Sequence, residues 1–144
     1  GNDIRLIGEE QAYWLTKLKV RNSSFNTDQM HFSFDFLGLE AVIRQGVKTL
    51  SDAGVKPRRL MIHILTGYDT TFEQDYERFS IVRGLGCDPF VMVYNQQGTR
   101  QLHHFARWVN RRIYKVCDWG NYWPWRKVKD QCILPLEKLL QNCL

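Results

Sequence analysis

Residues 60–95 decide the fold, because two apolar runs flank a helical segment there: LMIHILTG at 60–67 and PFVMVYN at 89–95. The first run is apolar almost throughout, which is typical of a strand buried on both faces of a helix-covered parallel sheet. Its polar break comes at Thr66 and Gly67, where the strand ends and the next helix begins. Ligands usually bind at that end of an α/β sheet. The sequence therefore predicts a binding site after this strand.

The composition limits the classes of protein to consider. A chain of 144 residues suits one domain with a substantial core. The net charge of +5, from 20 basic and 15 acidic residues, permits an anionic ligand or nucleic acid and requires neither. No apolar run reaches the roughly 18 to 20 residues that span a bilayer, and the N-terminus lacks a signal pattern, so we expect a cytoplasmic protein without a membrane partner. The four cysteines are too widely spaced for a local metal clip, and we expect reduced thiols.

The same strand-then-helix pattern occurs four times. Predicted strands at 4–7, 30–35, 60–66 and 89–94 each precede a segment with apolar residues at helical spacing. Consecutive βα units form a parallel sheet, either doubly wound or barrel-shaped. No Gly-x-Gly-x-x-Gly or Gly-x4-Gly-Lys-Ser/Thr turn follows a strand, so the usual dinucleotide and nucleoside triphosphate signatures are absent. A closed barrel takes about eight such units. We therefore expect an α/β fold in which four parallel βα units form part of a TIM-like (β/α) barrel.

Turn residues mark the ends of the predicted helices. Thr70-x-x-Glu73 and Thr71-x-x-Gln74 both match the capping box that opens a helix after the strand at 60–66. Gly54 is placed to end the helix before that strand. Both threonines are therefore interpreted as helix caps before they are considered as ligands.

Three segments carry a resemblance to a known family: LTGYDTTFE at 65–73, GCDPFVMVYN at 86–95 and FARWVNR at 105–111. They resemble the C-terminal half of the partial (β/α)6 barrel of the radical S-adenosylmethionine enzymes. In that family they would be the turn after strand five, which approaches the adenine of the cofactor, then strand six and the helix after it. The resemblance covers residues 1–115, with strands three to six, and leaves residues 116–144 as a C-terminal extension that packs on the barrel.

The resemblance implies a function for a longer protein. In the family, a Cys-x3-Cys-x2-Cys loop holds three irons of a 4Fe-4S cluster and leaves the fourth for the cofactor. This sequence contains no such loop, and its strand-five pattern keeps only the central glycine of the family, Gly67. The resemblance therefore implies the C-terminal portion of a radical enzyme. S-adenosylmethionine and the cluster are expected only for the full-length protein, and the chain alone is expected to hold neither and to be inactive.

The candidate cofactor-binding residues lie at the ends of three predicted strands: Ser33, Asp35, Thr66, Gly67, Tyr94 and Asn95. Ser33 and Asp35 alternate with phenylalanines, so they face the opposite side of their strand, which would be the lumen of a barrel. Gly67 fits two interpretations, a tight turn that needs positive φ or a close approach of ligand to backbone. His63, inside an apolar strand, is more typical of a satisfied core histidine than of an acid or base. No catalytic residue and no metal ligand is predicted.

The C-terminal third supports an alternative function. Basic residues between Arg100 and Lys129 are interleaved with aromatic ones between Trp108 and Trp125, a mixture that can pair with phosphates and stack on bases. The alternative is thus a stand-alone binding or assembly module for nucleic acid. We favour the simpler interpretation, in which the arginines lie on the solvated face of a helix and the aromatics of 119–125 fold back over the barrel or meet a partner. A short helix at 136–143 is expected to seal one end.

A half barrel also predicts a partner. The strand predicted at 4–7 would lie at an open sheet edge, whose unpaired backbone groups attract another chain. We therefore expect either a missing N-terminal half-barrel or self-association through that edge.

Overall fold

The computed structural model describes residues 3–21, 28–96 and 98–122, with Gln96 described by its backbone alone. Four helices and three strands alternate along these residues. In chain order they are α1 (Glu9–Lys17), β1 (Met30–Ser33), α2 (Glu40–Asp52), β2 (Leu60–Thr66), α3 (Phe72–Gly84), β3 (Asp88–Val93) and α4 (Arg100–Asn110). The prediction of an α/β fold is confirmed. None of the helices in the described ranges is long and apolar enough to cross a membrane.

The three strands form one parallel sheet in the order β1-β2-β3. Phe32 of β1 lies beside Ile62 of β2, which lies beside Pro89 of β3. Each strand therefore lies beside the strand that precedes it in the chain. α2 connects β1 to β2, and α3 connects β2 to β3. The described residues contain three strands of the four that the sequence predicted.

The two faces of the sheet differ in burial. One face packs on the helices and forms the core, in which Met30, Phe32, Leu60, Ile62 and Ile64 are almost completely buried. α3 packs on β2 and α4 packs on β3, while Ile43, Val47 and Leu50 of α2 join the same core. The side chains of the opposite face are His31, Ser33, Met61, His63, Leu65, Asp88, Phe90 and Met92, and each is half-buried or exposed. We call this the open face. The expectation that β2 is buried on both faces is wrong for the described residues, because their helices pack on one face only.

The predicted turn chemistry is observed at two helix ends. The Thr71 hydroxyl accepts a hydrogen bond from the Gln74 backbone N–H, and the Gln74 side chain accepts one from the Thr71 backbone N–H, which completes a capping box before α3. Gly54 follows α2 with a φ of 101°, a conformation that favours glycine.

The prediction of a strand at 4–7 is wrong, because Ile4–Leu6 form a 3₁₀ helix. The Asp3 carboxylate accepts a hydrogen bond from the Arg5 backbone N–H at 3.0 Å and caps this turn. Ile4 is buried against α2, where a Cβ added to Gly46 would lie 2.4 Å from its Cγ1. The close contact with Gly46 therefore fixes the segment against α2. In the described part of the chain, the edge of the sheet on this side is β1.

The opposite edge of the sheet is partly closed by Asn110, at the end of α4. Its side-chain oxygen accepts a hydrogen bond from the Val91 backbone N–H, and its side-chain nitrogen donates one to the Val91 carbonyl, both at 2.8 Å. The amide group thus makes the two bonds that a neighbouring strand would make at the centre of β3. This contact blunts the edge against strand addition.

An aromatic layer joins α3, α4 and the residues that follow. Trp108 is buried, and its indole N–H donates to the Cys117 carbonyl at 2.8 Å. The Trp119 ring lies 5.5 Å from the rings of both Phe105 and Trp108. Trp119 therefore folds back on the helices, which is one of the two placements predicted for the aromatics of 119–125. Trp123, Trp125 and the helix predicted at 136–143 lie outside the described residues, and no observation tests the proposed division between 1–115 and 116–144.

Replacement of Asn110 by alanine should release the edge of β3. We expect the Val91 amide proton to exchange faster with solvent and the free energy of unfolding to fall by about 1 kcal/mol, the usual net value of such hydrogen bonds. Amide hydrogen exchange followed by NMR and urea denaturation would measure the two effects. Gln101→Ala, at an exposed position of α4, is the control. An unchanged Val91 exchange rate would show that Asn110 does not close this edge.

Candidate functional site

The carboxyl ends of the three strands lie side by side, and a buried ion pair holds two of them. The pair is formed by Arg78 and Asp75, one turn apart on α3 and both 0% exposed. The Arg78 guanidinium donates to the carbonyls of Phe34 and Asp35, after β1, at 2.7 and 2.6 Å. It also donates to the Leu65 carbonyl of β2 at 2.7 Å. One side chain thereby fixes both strand ends to α3.

The Asp75 carboxylate continues the network toward the turn after β2. Its Oδ1 atom accepts hydrogen bonds from the Arg78 guanidinium at 2.5 Å and from the Thr70 hydroxyl at 2.6 Å. Burial raises the pKa of Asp75, while these two bonds and a backbone hydrogen bond from Gly67 act in the opposite direction. The Asp75 side chain therefore connects α3 to the loop that carries the candidate residues of β2.

Sequence reasoning missed Arg78 and Asp75. A signal was present, since both lie at helical spacing from the buried residues Phe79 and Val82 of α3. Charged residues on the inward side of a helix are almost never fully buried unless they are paired. The partners of Arg78 at the ends of β1 and β2, however, are backbone carbonyls. Every residue carries a carbonyl, so the sequence does not identify these partners.

Ser33 and Asp35 lie exposed where β1 ends, as the alternation with phenylalanine predicted. They line a cleft of about 300 Å³ beside the 3₁₀ helix Ile4–Leu6. Asp35 also lines a second cleft of about 360 Å³, together with Leu65 and the turn at 68–70. Asp35 thus stands between two clefts at the carboxyl end of the sheet.

Thr66 and Gly67 have structural explanations. Thr66 is fully buried on the helix-covered side, and its hydroxyl donates to the Met92 carbonyl at 3.3 Å. Gly67 has a φ of 75°, and an added Cβ would lie 2.8 Å from the Leu102 Cδ1 atom of α4. The tight-turn interpretation of Gly67 therefore applies, and Thr66 is not directed to the open face. Neither observation tests whether a ligand approaches the Gly67 backbone.

Tyr94 and Asn95 follow β3 at the same end of the sheet. The Tyr94 ring lies 4.7 Å from the ring of Tyr68, in the turn after β2, and the two residues are 39% and 68% exposed. Asn95 has a φ of 47°, a left-handed conformation in which asparagine is common. Tyr68 was not predicted as a site residue, although an aromatic residue in a strand-to-helix turn is a usable signal. The pair presents an exposed aromatic surface beside the cleft that Asp35 and Tyr68 line.

The open face carries a pair of histidines on adjacent strands. The Nδ1 atom of His31 lies 2.8 Å from the Nε2 atom of His63, and the Nδ1 atom of His63 lies 3.5 Å from the Met92 sulfur. Burial lowers the pKa of His63, and a positive charge on His31 lowers it further. His63 is therefore a hydrogen-bonded histidine, as expected, but it lies on the open face and not in the core.

Side chains that could bind a ligand stand at the carboxyl end of the sheet among the described residues. No three His, Cys, Asp or Glu side chains converge within the described ranges. Cys87 is buried, and burial together with the charge of Asp88 raises its pKa to about 12, so its thiol is protonated at neutral pH. What the carboxyl end offers is a carboxylate, a hydroxyl and two exposed aromatic rings around open clefts.

Three residues of the basic and aromatic C-terminal third, Trp108, Tyr114 and Tyr122, are buried in the aromatic layer. Their ring faces contact other rings of the protein. The nucleic-acid alternative therefore cannot use these three rings as stacking platforms in this structure.

Removal of Arg78 should destabilise the whole domain. Arg78→Met leaves Asp75 buried without its cation and three carbonyls without their donor, so we expect a loss of about 3 to 5 kcal/mol in the free energy of unfolding. Urea denaturation measures the loss. The matched control is Arg44→Met, which breaks an exposed pair with Glu40 on α2 and should cost less than about 1 kcal/mol. A loss below that value for Arg78→Met would contradict the central role of the network.

The histidine pair should make stability depend on pH. The pKa of His63 is lower in the folded state, so below about 6.5 the unfolded chain binds more protons and stability falls as the pH is lowered. His63→Gln should reduce this decline, whereas His103→Gln, at an exposed position of α4, should not. Thermal unfolding midpoints between pH 5 and 8 would test this expectation. A decline of equal size in the His63 variant would refute it.

Comparison of the chain with models of known protein families, with curated proteins and with solved structures found no match.

Proposed function

We propose that this chain is the C-terminal part of the cofactor-binding barrel of a radical S-adenosylmethionine enzyme. One observation carries the proposal: three parallel strands follow in order, their helices cover one face, and polar and aromatic side chains stand at the carboxyl end of the open face. An open face of this kind corresponds to the lumen side of a barrel that other strands would complete. The segment resemblance at 65–73, 86–95 and 105–111 supports the same function.

The residues at the carboxyl end suit an adenosyl group. Exposed oxygens of Ser33 and Asp35 can accept hydrogen bonds from hydroxyl or amino groups of a ligand. The exposed rings of Tyr68 and Tyr94 offer a flat surface on which a purine can stack. In this proposal Gly67 allows the adenine to approach the backbone, and Asn95 lies beside Tyr94 at the end of the last strand. S-adenosylmethionine would supply radical chemistry only in contact with an iron-sulfur cluster.

The cluster is assigned to the full-length protein and not to these residues. Within the described ranges, Cys87 and Cys117 are buried, and a ligating cysteine must be deprotonated. The high pKa of Cys87 opposes ligation. In this proposal the Cys-x3-Cys-x2-Cys loop and the strands that hold it precede Gly1.

The edges of the sheet support the proposed position within a barrel. Asn110 occupies the centre of the β3 edge, whereas no strand of the described residues pairs with the outer edge of β1. Additional strands would therefore join at β1, which is the N-terminal side. This agrees with a chain that supplies the last strands of a partial barrel.

The gene gives the most direct test of the proposal. We expect the reading frame upstream of the Gly1 codon to encode a Cys-x3-Cys-x2-Cys loop within the N-terminal half of the barrel. In this proposal about half of a barrel fold lies upstream, so DNA sequencing over roughly another hundred codons tests it. A stop codon followed by a native start would contradict the proposal.

The longer protein then permits a binding test. After anaerobic cluster reconstitution, Tyr94→Ala should weaken S-adenosylmethionine binding about tenfold, the usual effect of removing one aromatic stacking partner. Tyr13→Ala, at an exposed position of α1, should leave the affinity unchanged. Equilibrium dialysis measures both. Equal affinities in the two variants would remove Tyr94 from the proposed site.

A further inference from the structure

A third cavity lies at the opposite end of the sheet from the two clefts described above, beside the amino ends of β2 and β3. Its volume is about 450 Å³. The charged and aromatic side chains that line it are Arg58, Arg83, Asp88, Arg112, Tyr114 and Lys115. They come from three separate segments: the 3₁₀ helix Pro57–Arg59, the stretch from the end of α3 to the start of β3, and the residues after α4. The fold therefore brings four cations to one concave surface.

The carboxylate in this lining does not neutralise the four cations. Asp88 accepts a hydrogen bond from the Arg112 guanidinium at 2.6 Å and one from the Gln29 side chain at 3.3 Å. Arg83 lies over the Tyr114 ring, 5.8 Å from its centroid. The side chains of Arg58 and Lys115 make no hydrogen bond or ion pair with any other described residue. Three positive charges are in excess, and their mutual repulsion favours the binding of an anion.

The backbone at Arg112 is held in an unfavourable conformation. Its φ and ψ of 57° and 26° lie in the left-handed region, which costs free energy for a residue with a Cβ. A hydrogen bond from its N–H to the Val109 carbonyl, at 2.8 Å, fixes this turn after α4. Arg112 nevertheless lines the cavity and reaches Asp88, so the strained turn supports the charge cluster.

We propose that this cavity binds a compact ligand that carries two or more phosphoryl groups. Guanidinium groups match phosphate oxygens in geometry and keep their charge at all relevant pH values. Cations that come from separate segments around a concave surface suit a small, dense anion better than an extended strand. The cavity lies at the end of the sheet opposite the candidate cofactor site, so this proposal does not depend on the function proposed above.

The proposal includes no covalent step through the cavity lining. The Cys87 thiol is protonated because its pKa is about 12, and burial raises the pKa of the Tyr114 hydroxyl as well. Neither group is therefore a nucleophile at neutral pH.

Isothermal titration of the 144-residue chain with inorganic pyrophosphate tests the proposal. We expect saturable binding that weakens about tenfold in Arg83→Gln and in Arg58→Gln, because each loses a charge-assisted hydrogen bond. The matched control is Arg111→Gln, which removes the same charge next to Arg112 but outside the cavity, and its affinity should change less than about twofold. Unchanged thermal midpoints would show that the exposed substitutions leave the fold intact.

Three results would overturn the proposal. One is the absence of saturable pyrophosphate binding by the parent chain. Another is a loss in Arg111→Gln as large as in the cavity variants, which would indicate a diffuse surface charge. The third is tighter binding of citrate, or of a single-stranded oligonucleotide, than of pyrophosphate at equal ionic strength. Citrate would point to carboxylates, and the oligonucleotide would point to a nucleic-acid surface.

Discussion

The buried contact between Arg78 and the carbonyls at the ends of β1 and β2 is the interaction on which the rest of the structure depends. Strands of a parallel sheet lose their ladder partners where they end, and buried carbonyls without donors are costly. One guanidinium supplies donors to Phe34, Asp35 and Leu65 at once. The Asp75 side chain pairs with the Arg78 guanidinium and accepts a hydrogen bond from the Thr70 hydroxyl. An ion pair that is fully desolvated contributes little by itself, so its value lies in the strand ends that it organises.

This network also explains why the candidate residues stand where they do. The backbone of Asp35 is held by Arg78, while its side chain is exposed between two clefts. The turn after β2 is held by Asp75 through Thr70, and Tyr68 within it reaches the ring of Tyr94. Polar and aromatic side chains at the carboxyl end thus rest on a rigid, buried base. A binding site gains affinity from such a base, because less conformational freedom is lost when the ligand binds.

Much of the fold follows from periodicity, and the failures have identifiable physical causes. The apolar runs at 60–66 and 89–94 and the capping box at Thr71 predicted strands and a helix that the structure contains. The prediction of a strand at 4–7 is wrong because a four-residue segment carries no reliable period, and Ile4 packs on Gly46 as part of a 3₁₀ helix. The parity of β2 places Thr66 on the helix-covered side, since it shares a face with Ile62 and Ile64. The bond between Asn110 and Val91 joins elements far apart in sequence, and no local pattern predicts it.

The two faces of the sheet differ from each other, and so do its two edges. These differences limit which additional elements could pack on the sheet or pair with it. Across its thickness, one face is dry and covered by helices, while the other presents His31, His63 and Phe90 without a covering layer in the described residues. Parallel sheets are stable mainly when both faces are covered. Along its width, Asn110 closes one edge and β1 is left at the other. In the barrel that we propose, strands that join at β1 and curve over the open face would satisfy both conditions. A covering layer that lay flat on this face would leave the edge of β1 unpaired. The proposed barrel therefore accounts for the faces and the edges together.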